Sequence, residues 1–149
     1  MAAGSSAAGA VVFDPCTQLT DVMVTSLGLD PSTRTPYTAK GSTAESGCRW
    51  EDAPTLGRLL VDIGINKTQI DKYLTNLGVT RKTELSIGGR RVVNFVTDTL
   101  GGGCNLAIDL GAAIAVVATT SSSQTANVPD PDSCPDAVRV ATAISPLFR

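Results

Sequence analysis

The sequence has no histidine and few aromatic residues among its 149 positions. Without histidine, the Ser-His and Cys-His pairs that activate most nucleophilic hydrolases are excluded. Because aromatic residues make up only 4% of the chain, a hydrophobic core must consist mostly of Val, Ile, Leu and Ala. No apolar run reaches the roughly 18 residues that a membrane-spanning helix needs. The longest run, Ala112 to Ala118, has the length of a strand.

Other catalytic patterns are incomplete as well. The neighbouring carboxylates Glu51 and Asp52 are predicted on one strand, so their side chains should point to opposite faces. The glycines at 101–103 precede a predicted strand, whereas a phosphate loop leads into a helix. Asp130 and Asp132 lack the remaining ligands of a calcium loop. We therefore expect no catalytic, cofactor-binding or metal site, and no enzyme.

The charge balance gives little sign of a particular partner. The formal net charge is −2 and the isoelectric point is about 4.9, whereas nucleic-acid-binding domains usually carry a basic excess. The basic pairs Arg81-Lys82 and Arg90-Arg91 are interpreted as solvated strand ends. We expect no nucleic-acid partner.

Four widely spaced cysteines, Cys16, Cys48, Cys104 and Cys134, form no CxxC pair. An even number of cysteines in a small acidic domain favours two disulfides and an oxidising compartment over a zinc site or free buried thiols. Loop geometry favours Cys16–Cys48 with Cys104–Cys134, and the alternative Cys48–Cys104 with Cys16–Cys134 stays open. Trp50 lies two residues from Cys48 on a predicted strand, which favours a core position beside a disulfide over a ligand-stacking role.

Hydrophobic periodicity predicts an α+β domain. Apolar residues at helical spacing indicate helices over residues 14–28, 68–78 and 133–146, with Asp14 and Pro15 at the start of the first. Alternating or short apolar segments indicate strands at 47–51, 59–66, 90–97, 104–110 and 113–119. We expect an antiparallel sheet of about five strands with helices packed on one face and two disulfides.

The remaining segments are rich in small and polar residues. Residues 1–12 consist largely of Ala, Gly and Ser and are predicted to be a flexible tether ahead of a single domain at 13–149. Residues 29–47 show no periodicity and are predicted to be a long surface loop, with at most a short strand near Tyr37.

Several short motifs, in this order, resemble the domain-of-unknown-function 3558 lipoproteins of actinobacteria. They are Phe13-Asp14-Pro15-Cys16 with Gln18-Leu19-Thr20, then Gly47-Cys48-Arg49-Trp50, Gly103-Cys104 before an alternating strand, and Cys134 opening the last helix. The resemblance spans about residues 11–148. It implies an exported protein whose signal peptide and lipidated cysteine precede the tether, anchored on the outer face of the cell membrane.

The resemblance assigns no activity, so two functions are weighed. The first is binding of an apolar or lipid-like small molecule in a poorly filled space between sheet and helices. The second is a protein-interaction domain of the cell envelope, with the 29–47 loop and the Arg90-Arg91 pair as candidate contacts. Ligand identity, oligomeric state and pathway are not encoded in any recognisable motif.

Overall fold

The computed structural model of the chain describes residues 13–39, 45–52, 59–77, 79, 81–96, 104–121 and 135–148, so the predicted tether at 1–12 lies outside the described residues. The described helices are α1 (Pro15–Gln18), α2 (Asp21–Ser26), α3 (Ile70–Leu77) and α4 (Pro135–Ile144), and a 3₁₀ turn follows at Ser145–Leu147. The strands are β1 (Leu29–Ala39), β2 (Glu45–Asp52), β3 (Leu59–Asn66), β4 (Arg81–Ile87), β5 (Arg90–Val96), β6 (Cys104–Asp109) and β7 (Ile114–Ser121).

The seven strands form one antiparallel sheet in the order β1-β2-β3-β7-β6-β5-β4. Strands β1 to β3 form one meander and β4 to β7 form another. The two meanders join through the β3–β7 pair, whose register runs from Leu59 opposite Ser121 to Asn66 opposite Ile114. Helix α3 connects them along the chain, leading from β3 in the middle of the sheet to β4 at its edge.

Helices cover both faces of the sheet, so the prediction of helices on one face is wrong. On the first face, residues of α2 and α4 such as Val24 and Val140 share a core with Val117 of β7. On the second face, Tyr73 of α3 packs in a separate core with Val116 of β7. Strand residues alternate between the faces, and β5 to β7 are apolar on both. Such strands can bury each face under its own helical layer.

Within the described residues the sheet has seven strands where about five were predicted, and the two additional strands are its edges, β1 and β4. Residues 29–39 form an 11-residue strand with an irregularity between Asp30 and Thr35, so a loop over 29–47 is wrong. An edge strand has a partner on one side only and carries polar residues that discourage further pairing. Both segments therefore lack the apolar pattern that identified the interior strands.

A single helix over residues 14–28 is also wrong. Leu19 adopts an extended conformation that ends α1, and the Thr20 hydroxyl accepts a hydrogen bond from the Met23 amide at 3.2 Å to begin α2. The break lets Leu19 enter the first-face core together with Leu27. Apolar residues recur at helical spacing on both sides of the break, so the spacing alone does not reveal it.

One of the two predicted disulfides is described, Cys16–Cys48, with a Cα–Cα distance of 5.4 Å. This bond confirms the favoured pairing for these two cysteines and ties α1 to β2. Cys104 is also in the disulfide-bonded state, and its predicted partner Cys134 lies outside the described residues. Trp50 is 1% exposed in the same core as Cys48, which confirms its predicted core position.

Candidate functional site

Two paired glycines on neighbouring strands leave space for a tyrosine side chain on the second face of the sheet. Gly47 of β2 is paired with Gly64 of β3, and Tyr37 of β1 is paired with Gly47. A Cβ atom on Gly64 would collide with the Tyr37 hydroxyl and would lie 2.9 Å from the carbonyl oxygen of Ser46. The missing side chains therefore allow the phenol ring to lie against the strands.

The Tyr37 hydroxyl donates a hydrogen bond to Oε2 of Glu45 at 2.7 Å, and both side chains are half-buried. Burial raises the pKa of Glu45, and the hydrogen bond from Tyr37 offsets part of this rise. Burial also raises the pKa of Tyr37, with a further contribution from the charge of Glu45. The same two causes raise the pKa of Tyr73 on α3. The carboxyl group of Glu45 thus resists ionisation more than a solvated glutamate does.

An ion pair borders this hydrogen bond on the same face. Arg49 of β2 donates to both carboxylate oxygens of Asp62 on β3, at 2.7 and 3.0 Å. The bond to Asp62 raises the pKa of Arg49, and the charge of Asp62 adds to the rise in the pKa of Glu45. Because each group already has a partner, the cluster fixes side chains in place and presents no free nucleophile–base pair.

A groove lies beside the Cys16–Cys48 disulfide, where α1 meets β1, β2 and β3. We call it the disulfide groove. Its volume is about 430 Å³ and its surface is mostly apolar. It is lined by Phe13, Asp14, Pro15, Cys16, Pro36, Tyr37, Ser46, Gly47 and Ile65. The carboxylate of Asp14 accepts a hydrogen bond from the Cys16 amide at 3.0 Å, as the cap of α1. The groove therefore offers an apolar surface with little exposed chemistry.

A second depression, the Arg90 pocket, lies where the β4–β5 turn meets the C-terminal 3₁₀ turn. Its volume is about 460 Å³, and it is lined by Gly88, Gly89, Arg90, Ser145, Pro146 and Phe148. Arg90 donates from Nη2 to the carbonyl oxygen of Phe148 at 2.9 Å, and its guanidinium carbon lies 6.0 Å from the centroid of the Phe148 ring. The guanidinium is thus held at the pocket wall.

An aromatic pair links the linings of the two depressions. Phe13, which lines the disulfide groove, contacts Phe148, which lines the Arg90 pocket, edge to face with ring centroids 4.8 Å apart. Both rings are almost fully buried. Each depression therefore borders the same part of the first-face core.

The residues that sequence analysis examined for catalysis do not converge in the described structure. Glu51 is exposed on the second face and Asp52 is buried, which confirms that their side chains diverge. The glycines at 101–103, Asp130 and Asp132 lie outside the described residues. Within the described ranges, no group of three His, Cys, Asp or Glu side chains is placed to hold a metal ion. No helix in those ranges has the length and apolarity to cross a membrane.

The sequence pattern does not indicate the Tyr37–Glu45 pair or the contact between Arg90 and Phe148. Tyr37 lies in the segment interpreted as a loop, and Glu45 precedes the predicted start of β2. The aromatic ring of Tyr37 in an otherwise polar segment was the one available signal, because aromatic residues favour strands. Nothing in the spacing of Tyr37 and Glu45 shows that a hairpin brings them together.

No curated protein matches the chain, and no solved structure matches it. The family described as "Protein of unknown function (DUF3558)" matches residues 2–147. The match covers nearly every residue of the chain, which therefore belongs to this family of unknown function.

Proposed function

We propose that this domain is an exported envelope protein that binds an apolar or lipid-like small molecule in the disulfide groove. The observation that carries the proposal is the groove itself, with its mostly apolar wall around Phe13, Pro36 and Ile65. Its volume of about 430 Å³ falls within the range of roughly 300–1,000 Å³ that is typical of small-molecule sites. This site is a surface groove, whereas sequence analysis expected a space between sheet and helices.

The chemistry of the lining supports binding rather than catalysis. Cys16 is oxidised in a disulfide, and the carboxylate of Asp14 caps α1. The Tyr37 hydroxyl is committed to Glu45. Because the sequence has no histidine, the commonest general base is absent as well. The groove can exclude water from an apolar ligand, and its lining supplies no activated nucleophile.

Export and membrane anchoring are part of the same proposal. The Cys16–Cys48 disulfide supports an oxidising compartment, since such bonds are rare in reducing cytosol. The resemblance of the chain's cysteine-containing motifs to actinobacterial lipoproteins supports a lipid anchor on the outer face of the membrane. Such an anchor would hold the groove near a source of apolar ligands.

An envelope protein-interaction domain is the second candidate function. The observation that favours it is the exposed edge strand β1, which replaces the predicted loop. Pro31 and Pro36 lie in this strand, however, and proline cannot donate to an added strand. This edge is therefore poorly suited to extended pairing, and the small-molecule proposal is preferred.

The proposal is tested by native mass spectrometry of the protein purified from its own envelope in mild detergent. We expect a mass excess that is lost on denaturation and that exceeds any covalent lipid. If the native mass equals that of the polypeptide with any covalent lipid, and the only additional mass is bound detergent, the protein-interaction domain is favoured instead.

A groove-filling variant localises the ligand. Ser46 is exposed and lines the groove, so Ser46→Trp should fill it and abolish the mass excess. Thr35 is exposed on β1 but does not line the groove, so Thr35→Trp is the matched control and should retain the ligand. Equal retention by both variants would place the ligand elsewhere.

A further inference from the structure

The arginine side chains of this domain differ in their interaction partners. Arg49, Arg91 and Arg139 each form an ion pair with a carboxylate, at distances of 2.7 to 3.2 Å. Arg90 has no carboxylate within ion-pair distance among the residues that the structure describes, and its side chain contacts the carbonyl oxygen and the ring of Phe148. Its positive charge therefore faces the pocket without a counter-charge from the described chain.

The Arg90 guanidinium has hydrogen-bond donors that Phe148 does not use. Arginine carries five N–H donors in a planar fork, and one of the Nη2 donors is used by Phe148. The hydrogen bond to Phe148 and the contact with its ring restrict the side chain, which lowers the conformational entropy that is lost when a ligand binds. Such a fork matches the paired oxygens of a carboxylate or phosphate.

The β4–β5 turn adds backbone donors at the same pocket. Ile87 pairs with Arg90, which leaves Gly88 and Gly89 as a two-residue turn with φ of 60° and 79°. Neither glycine amide donates a hydrogen bond to a backbone carbonyl within the described part of the chain. Amides exposed by a turn can bind anions. A side chain at Gly88 would crowd the Ser145 hydroxyl, with Cβ 3.2 Å from Oγ, so glycine also keeps the pocket open.

We propose that the Arg90 pocket binds a small oxyanion group, a carboxylate or a phosphate, through the guanidinium of Arg90 and the amides of Gly88 and Gly89. The group is either a free anion or the head of an amphiphile whose apolar part occupies the disulfide groove beyond the Phe13–Phe148 pair. The site itself does not depend on the proposed function of that groove.

The first experiment is an NMR titration of the wild-type protein, which needs no variant. Sodium phosphate and sodium acetate are added at constant ionic strength against a sodium chloride control. We expect saturable shifts of the Gly88 and Gly89 amides and of the Arg90 Nε–H, with chloride having no such effect. Saturable shifts with phosphate or acetate would show that a free oxyanion binds the pocket without an apolar tail.

The second arm uses dodecyl phosphate below its micellar concentration and dodecanol below its solubility limit. If dodecyl phosphate alone shifts both the Gly88–Gly89 turn and Phe13, the oxyanion is the head of an amphiphile. No saturable shift at the turn with phosphate, acetate or dodecyl phosphate would overturn the proposal. If Ser46→Trp no longer binds dodecanol but still binds phosphate, the disulfide groove and the Arg90 pocket are independent sites.

A matched pair of variants tests the role of the guanidinium. Arg90→Gln should weaken phosphate binding about tenfold or more, because a charge-assisted pair is lost. Arg91→Gln changes the neighbouring arginine, which is paired with Glu84 and Asp71, and should leave binding unchanged. Arg90→Lys retains the charge without the fork and should give an intermediate affinity. Equal losses in Arg90→Gln and Arg91→Gln would show non-specific attraction and overturn the assignment.

Discussion

At the scale of single residues, the position of the Tyr37 side chain requires a glycine at position 64. Gly64→Ala should lower the free energy of unfolding by about 1–3 kcal/mol, because the added methyl group overpacks against the phenol and the Ser46 carbonyl. Guanidinium chloride unfolding measures this loss.

Tyr37→Phe is the matching background for that substitution. Phenylalanine lacks the hydroxyl that the new methyl group would meet, so Gly64→Ala should cost less there than in the wild type. The cost should not disappear, since the Ser46 carbonyl remains 2.9 Å from the new Cβ. Identical costs in both backgrounds would show that Tyr37 does not determine the need for glycine.

The raised pKa of Glu45 predicts a pH-dependent effect on stability. A carboxyl group whose pKa is higher in the folded state favours folding less as pH rises, because the unfolded chain releases its proton first. The effect begins near the ordinary pKa of 4.5 and is complete above the raised folded pKa. Glu45→Gln removes this effect while keeping an acceptor for Tyr37. Its stability relative to the wild type should therefore increase as the pH rises above about 4.5.

Glu51→Gln is the control, because Glu51 is exposed on the same strand and the same face. Its unfolding free energy, measured by denaturant titration at each pH, should follow that of the wild type. A Glu45→Gln advantage that is constant with pH would contradict titration of Glu45 as the cause.

At the scale of elements, the break between α1 and α2 depends on Thr20. Thr20→Ala removes the hydroxyl that accepts from Met23 and should cost about 1 kcal/mol of unfolding free energy. Thr25→Ala lies within α2 at an exposed position and should be neutral or slightly stabilising, since alanine favours helices. A loss in Thr25→Ala as large as that in Thr20→Ala would show that the hydroxyl does not act as a cap. Thermal unfolding compares the two variants directly.

The elements also show how far a sequence reveals this fold. The interior strands β3, β6 and β7 bury side chains on at least one full face, so their apolar patterns were visible. The edges β1 and β4 bury less, and helical spacing continued through the Leu19 break. The candidate site was less predictable, because Tyr37 meets Glu45 only through the β1–β2 hairpin and Arg90 meets Phe148 through contacts distant in sequence.

At the scale of the molecule, the Cys16–Cys48 bond closes the N-terminal part of the domain. The two residues are 32 positions apart, which corresponds to roughly 3–4 kcal/mol in the chain-entropy treatment of disulfides. The double variant Cys16→Ala/Cys48→Ala should lose stability of this order in denaturant unfolding. Substitution is preferable to a reducing agent, because Cys104 is also disulfide-bonded. Emission from buried Trp50 reports whether the variant still folds.

The junction of the two meanders also constrains the order of folding. Strand β3 completes its pairing only when β7 is available, and β7 follows after α3 and three further strands. Pairing between segments so distant in sequence is slow to form. On the proposed export route, a chain that emerges with its N-terminus first would present β3 as an open edge, with Val61 and Ile63 uncovered, until the second meander arrives. The nascent domain would then depend on protection from aggregation for as long as translocation lasts.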